Sequence, residues 1–159
     1  MTSAASTTFS QATTQTRHIA LLGAPSNLGL MPQEGEPEPG VRKAPEALQS
    51  LGLADRLGAG PMRSVRAPLY RPEVDPATGV RNAQALRQYS KTLAEAVDEE
   101  LNSGGFLLML GGDCSVLLGP ALALRRRGRY GLVFFDGHTD FKCRIPRRQK
   151  EPRAWIWPS

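Results

Sequence analysis

Three short runs, His18–Ala24, Phe106–Leu110 and Tyr130–Phe135, are apolar along almost their whole length rather than at alternate positions. A strand with one wet face alternates, whereas a strand buried on both faces does not. Such runs therefore point to a parallel sheet covered on each side. The segments between them carry a helical period. From Asn82 to Asn102, Leu86, Tyr89, Leu93, Val97 and Leu101 recur three to four residues apart. Asn82 stands where a helix N-cap is expected, and Gly104 and Gly105 stop the pattern. Ser115 to Arg127 reads as a second helix closed by Gly128, its Arg125–Arg127 run lying at the end where cations suit the helix dipole. A shorter helix carries Pro45 in its first turn and Ala47, Leu48 and Leu51 as one apolar face before Gly52. Pro25 to Gly40 reads as a long loop, and Val65 to Leu69 as a proline-interrupted edge strand. The class is α/β with a parallel sheet.

A net charge of +5 and a pI near 9.7 first point to an anionic partner. The charge is local, however. Residues 142–159 hold six basic residues (Lys142, Arg144, Arg147, Arg148, Lys150, Arg153) against Glu151, so residues 1–141 are neutral. The same segment holds both tryptophans, Trp155 and Trp157. No apolar run approaches the ~20 residues of a membrane helix. The first seventeen residues are rich in Ser and Thr without a hydrophobic core, which reads as a disordered leader over 1–17. Two cysteines, Cys114 and Cys143, do not make a disulfide framework, and a cytoplasmic setting is expected.

Two polar clusters stand at carboxyl ends of predicted strands, where ligands bind in sheets of this kind. In Asp136-Gly-His-Thr-Asp140 an extended backbone sends Asp136, His138 and Asp140 off one face, roughly 6–7 Å apart per step. Two carboxylates and an imidazole beside a glycine suit a divalent cation such as Mn²⁺, with Zn²⁺ not excluded. The plainer alternative is a solvated loop whose acids cap a following helix. In Gly111-Gly-Asp-Cys-Ser115 the thiol of Cys114 has three readings: metal ligand, nucleophile at a helix N-terminus, or small packing residue. As a nucleophile it needs a base, and His138 is the only candidate, since His18 opens the first strand.

Taken together, GGDCS followed some twenty residues later by DGHTD resembles the N-terminal half of the arginase/agmatinase/formimidoylglutamase (ureohydrolase) family, whose pattern is GGDHS and then DAHxD. Gly40 to Leu53 resembles that family's G-x-x-x-x-P-x-x-[LI] segment, and GAPSNLG after the first run resembles its first loop. The resemblance spans residues 18–141. It implies a three-layer α/β/α fold and two Mn²⁺ ions that activate water for attack on a guanidinium or amidine carbon. By position, Asp136, His138 and Asp140 match metal ligands, Asp140 doubling as the candidate catalytic carboxylate. Cys114 stands where the family has a further ligand histidine, and Asp113 matches an aspartate that supports the ligands from behind. The implied partner is a small guanidino or amidine substrate, and relatives form homo-oligomers.

Cys114 puts a soft donor where imidazole is usual, and Phe141-Lys142 lacks the Asn that arginases proper carry near this point. The family's second element, S-x-D-x-D-x-x-D-P, has no counterpart in these 159 residues. The resemblance therefore predicts a poorly stable fragment without hydrolase activity; the alternative is a non-catalytic metal-binding remnant. Residues 142–159 match nothing in the family. They read as a nucleic-acid-binding tail with stacking tryptophans, as a disordered cationic tail, or as a shifted reading frame. Codons for Trp155-Ile-Trp-Pro158 read from their third base encode Asp, then Met or Leu, then Ala, a family-like helix start. Of the three, the shifted frame is the reading the sequence favours for residues 142–159.

Overall fold

The computed structural model describes residues 18–32 and 39–137. Strand β1 (Ile19–Ala24) is followed by a 3₁₀ turn (Gly40–Lys43), helices α1 (Ala44–Ser50) and α2 (Leu53–Leu57), and the two-residue strand β2 (Arg63–Ser64). Helix α3 (Ala83–Asn102), strand β3 (Phe106–Gly111), a 3₁₀ turn (Cys114–Leu117) and helix α4 (Leu118–Arg127) complete the described elements. The sheet is parallel in the order β2-β1-β3. Ile19 pairs with Phe106 and the register runs without a slip to Ala24 opposite Gly111, so both strands end at one level.

Central β1 is buried on both faces, as an unbroken apolar run requires. One side of it meets α3, whose buried residues Tyr89, Leu93, Ala94, Ala96 and Val97 follow the predicted stripe, with Leu86 and Leu101 packed at its margins. Helix α4 lies against α3 at Gly119, where a Cβ would stand 2.5 Å from Leu93 Cβ. The missing side chain is what lets the two helices approach so closely.

Four expectations need correction. Asn82 occupies the N-cap position of α3, but at φ 54 its side chain caps no helix N–H and bonds elsewhere. The face of α1 formed by Ala47, Leu48 and Leu51 is not buried, Leu51 being 71% exposed. Pro45 is the residue that packs, beside Met62 against Gly23 of β1. The edge strand comes earlier than predicted, at Arg63–Ser64; Val65 is bonded through its N–H to Gly23 O at 2.8 Å, and by Leu69 the chain has left the sheet. Finally, Tyr130–Phe135 is no strand. After α4 ends at Gly128 (φ 115), the run pairs with no strand among the described residues, and Val133 and Phe135 are 79% and 93% exposed. An apolar run becomes a strand only when another strand's N–H and C=O groups meet it. Both edges of β1 are already occupied, and this segment does not reach the outer edge of β3.

Candidate functional site

The equal lengths of β1 and β3 bring two loops together, Ser26–Leu30 after β1 and Gly112–Ser115 after β3. Each glycine of the predicted GGDCS cluster has a separate steric reason. A Cβ on Gly111 would lie 2.7 Å from Val116 Cγ2, and one on Gly112 would overlap the Ser26 carbonyl. Because Gly112 is bare, its N–H donates to Ala24 O (3.1 Å) and the next N–H, of Asp113, to Ser26 O (3.0 Å). The two loops thus continue the ladder beyond the last paired residues.

Asp113 is the centre of this junction. It is only 6% exposed, and its Oδ1 accepts from Ser115 N (2.9 Å) and from Gly29 N (3.1 Å). The first bond opens the 3₁₀ turn that begins with Cys114; the second ties that turn to the β1 loop, 84 residues away in sequence. The other oxygen, Oδ2, is buried and accepts no hydrogen bond from the described residues, as is true of Ser115 Oγ and Asn27 Oδ1. Buried acceptors in this state are normally met by a donor or a cation. Ser26 Oγ accepts from Leu28 N (3.1 Å), and Asn27 Nδ2 donates to Pro39 O (3.0 Å), so the loop is held from inside as well. Tyr89 donates to Val65 O at 2.7 Å, and burial, aided by the Asp113 carboxylate, pushes its phenol well above the ordinary range.

Of the predicted ligands, Cys114 is half-buried at the start of the turn after β3. Asp136 is exposed in the irregular segment beyond α4, and His138 and Asp140 lie outside the described residues. The chemistry of the donor set, two carboxylates and an imidazole, fits Mn²⁺. Among the described residues, however, no three His, Cys, Asp or Glu side chains are grouped to hold a metal. What the described residues form is a hydrogen-bonded layer around Asp113, beneath the turn that begins with Cys114. Gly29, Ser26 and Asn82 belong to that layer and were not legible in sequence, where they read as loop and cap residues. No local pattern distinguishes a loop glycine that faces a buried carboxylate from one that faces water.

A family model described as the arginase family matches residues 17–150, and so runs into the segment 142–159, expected from its sequence to match nothing in the family. The chain belongs to the arginase family. Arginase of Bacillus caldovelox is 28% identical over 131 residues, covering 77% of this chain and 41% of its own length. Human arginase-1 is 28% identical over 137 residues, with 79% and 39% covered. The solved structure of the Bacillus caldovelox arginase superposes with a TM-score of 0.61 at 26% identity, over 78% of this chain and 42% of that one. The chain spans about two fifths of the length of these family members. The parallel sheet with its helices is thus the arginase fold in part, and the family is one of hydrolases. No described helix is long and apolar enough to cross a membrane.

Proposed function

We propose that residues 18–141 contribute part of the active site of a manganese-dependent ureohydrolase, which cleaves a C–N bond of a linear guanidino or amidine compound. The observation that carries this reading is the Asp113 junction. A buried carboxylate locks the turn bearing Cys114 to the loop after β1, at the sheet edge where such folds bind ligands. Membership of the arginase family supports the class of reaction. Asp136, His138 and Asp140 are the residues that hold the metal, with Cys114 as a fourth donor. Bound Mn²⁺ supplies Lewis acidity and lowers the pKa of water. Asp113, acting through the turn it opens, sets where the Cys114 sulfur stands.

These 159 residues supply four such donors, and a pair of ions needs more. By themselves they bind Mn²⁺ without hydrolysing substrate. Titration of the purified chain with Mn²⁺, followed by electron paramagnetic resonance, tests this. Binding that is lost in Asp136→Asn and Asp140→Asn is expected, with no urea released from arginine or agmatine. Absence of Mn²⁺ binding overturns the metal assignment, and Mn²⁺-dependent urea release overturns the inactivity of this length of chain.

A further inference from the structure

Asn82 is the single non-glycine among the described residues with a positive φ, at 54°; Gly52, Gly58, Gly79, Gly104 and Gly128 take the others. Asn tolerates this region better than most residues, but glycine occupies it at no steric cost. The side chain accounts for Asn at this position. Asn82 is 8% exposed, its Nδ2 donates to Leu28 O at 3.1 Å, and its Oδ1 accepts from Arg71 N at 2.7 Å. Leu28 O and Gly29 N belong to one peptide unit. Its carbonyl is held by Asn82 at the start of α3, and its N–H by Asp113 after β3. A single peptide plane is gripped at both poles by residues 54 and 84 positions away.

We infer that Asn82 is a positioning residue for the catalytic edge, acting on Asp113 through the Leu28–Gly29 peptide. The argument is geometric. A peptide preceding glycine turns easily about its flanking bonds, because glycine permits both signs of φ. Turning it would take the N–H away from Asp113 Oδ1 and leave the carboxylate with Ser115 N as its remaining donor among the described residues. The amide of Asn82 blocks that turn and, by drawing on the carbonyl, polarises the N–H that Asp113 receives. The carboxylate is then fixed in direction, and with it the turn that carries Cys114. Asn82 thereby links the helix on one side of the sheet to the loop bearing the chemistry.

This role rests on the reading of the edge as a hydrolase site, but the clamp is measurable without metal or turnover. Amide hydrogen exchange by NMR on the 159-residue chain compares wild type with Asn82→Gly and Asn82→Asp. Glycine keeps the backbone conformation and loses both hydrogen bonds. Aspartate keeps the acceptor for Arg71 N and loses the donor to Leu28 O. Exchange at Gly29 is expected to rise ~10-fold or more in both variants, with the β1–β3 ladder unchanged. Arg71 should stay protected in Asn82→Asp alone, and the Cys114 amide resonance should shift in both. Unchanged Gly29 exchange overturns the inference. Acceleration of all amides together, the mark of a merely stabilising residue, does so equally. Should Asn82→Gly fail to fold, the Gly29 and Arg71 amides of Asn82→Asp decide the matter. Mn²⁺ titration of the same variants separates the clamp from the site: a broken clamp with unaltered Mn²⁺ binding refutes the positioning role while leaving the metal assignment in place.

Discussion

Gly29→Ala probes the junction most directly. An ideal Cβ at this position stands 2.5 Å from Asp113 Oδ1, 2.9 Å from Ser115 Cβ and 3.2 Å from Ser115 Oγ. Contacts this short do not persist, and neither neighbour is the tip of a long side chain. The carboxylate has to move, and the Gly29 N–H bond to it is lost. A hydrogen bond to a charged group is worth about 1.5–3 kcal/mol, and overpacking adds about 1–3 kcal/mol. Against these, alanine gains about 0.4–1 kcal/mol by restricting the unfolded chain. The net expectation is a loss of about 2–4 kcal/mol. Asp113→Ala deprives two N–H groups of their acceptor but also removes an oxygen buried without a donor, for a similar net loss of about 2–4 kcal/mol.

The decisive quantity is the double variant. The Gly29–Asp113 bond can be lost only once, and in the Asp113→Ala background the added methyl meets only Ser115. Gly29→Ala should then cost about 1 kcal/mol, leaving a coupling of about 1–3 kcal/mol. Urea unfolding followed by circular dichroism gives the midpoints and slopes for the four proteins of the cycle. Costs that add to within about 0.5 kcal/mol would refute the claim that Asp113 holds the β1 loop.

Two further outcomes follow from the packing. Gly119→Ala should lower stability by about 1–2 kcal/mol although alanine is the better helix former, because the new methyl meets Leu93 Cβ at 2.5 Å. Leu93→Ala should not rescue it, since the offending Cβ remains; a gain of stability in Gly119→Ala, read by thermal unfolding, contradicts the close approach of α3 and α4. Tyr89→Phe should cost about 0.5–1.5 kcal/mol by removing the donor to Val65 O. The phenol of Tyr89 is raised in the folded protein from an ordinary value of 10.0, so its contribution is complete below that pH and lost above it, where the unfolded chain ionises first. Stability measured against pH should accordingly fall less steeply above pH 10 in Tyr89→Phe, and an unaltered slope contradicts the burial of this group.

Helix α3 was legible because its stripe of Leu86, Tyr89, Leu93, Val97 and Leu101 is a local, periodic property, and the structure buries that face. The run Phe106–Leu110 was legible as a strand from its unbroken apolar run, but the burial on both faces expected of it is not found: β3 is the outer strand of the described sheet, half-buried, with Phe106 58% exposed. Tyr130–Phe135 carries an equally apolar pattern yet pairs with nothing described, because strand formation needs a neighbour that the run itself does not encode. The α1 face failed on similar grounds. Leu48 and Leu51 have the right spacing, but Pro45 and Met62 already occupy the space over Gly23. In the site, GGDCS and DGHTD stood out by residue type. The partners of Asp113 and Asn82 did not, since hydrogen bonds spanning 84 and 54 residues leave no local trace.

By itself the sequence determined the α/β class, strands β1 and β3 and the long helix, which depend on local spacing and composition, and its motifs carried the resemblance to the family. Tertiary structure decided which edge each strand occupies, why two glycines must precede Asp113, and that the Leu28–Gly29 peptide is held from both sides. Those features arise where distant backbone groups meet, and a buried N–H or C=O finds its partner only after the chain between them has folded.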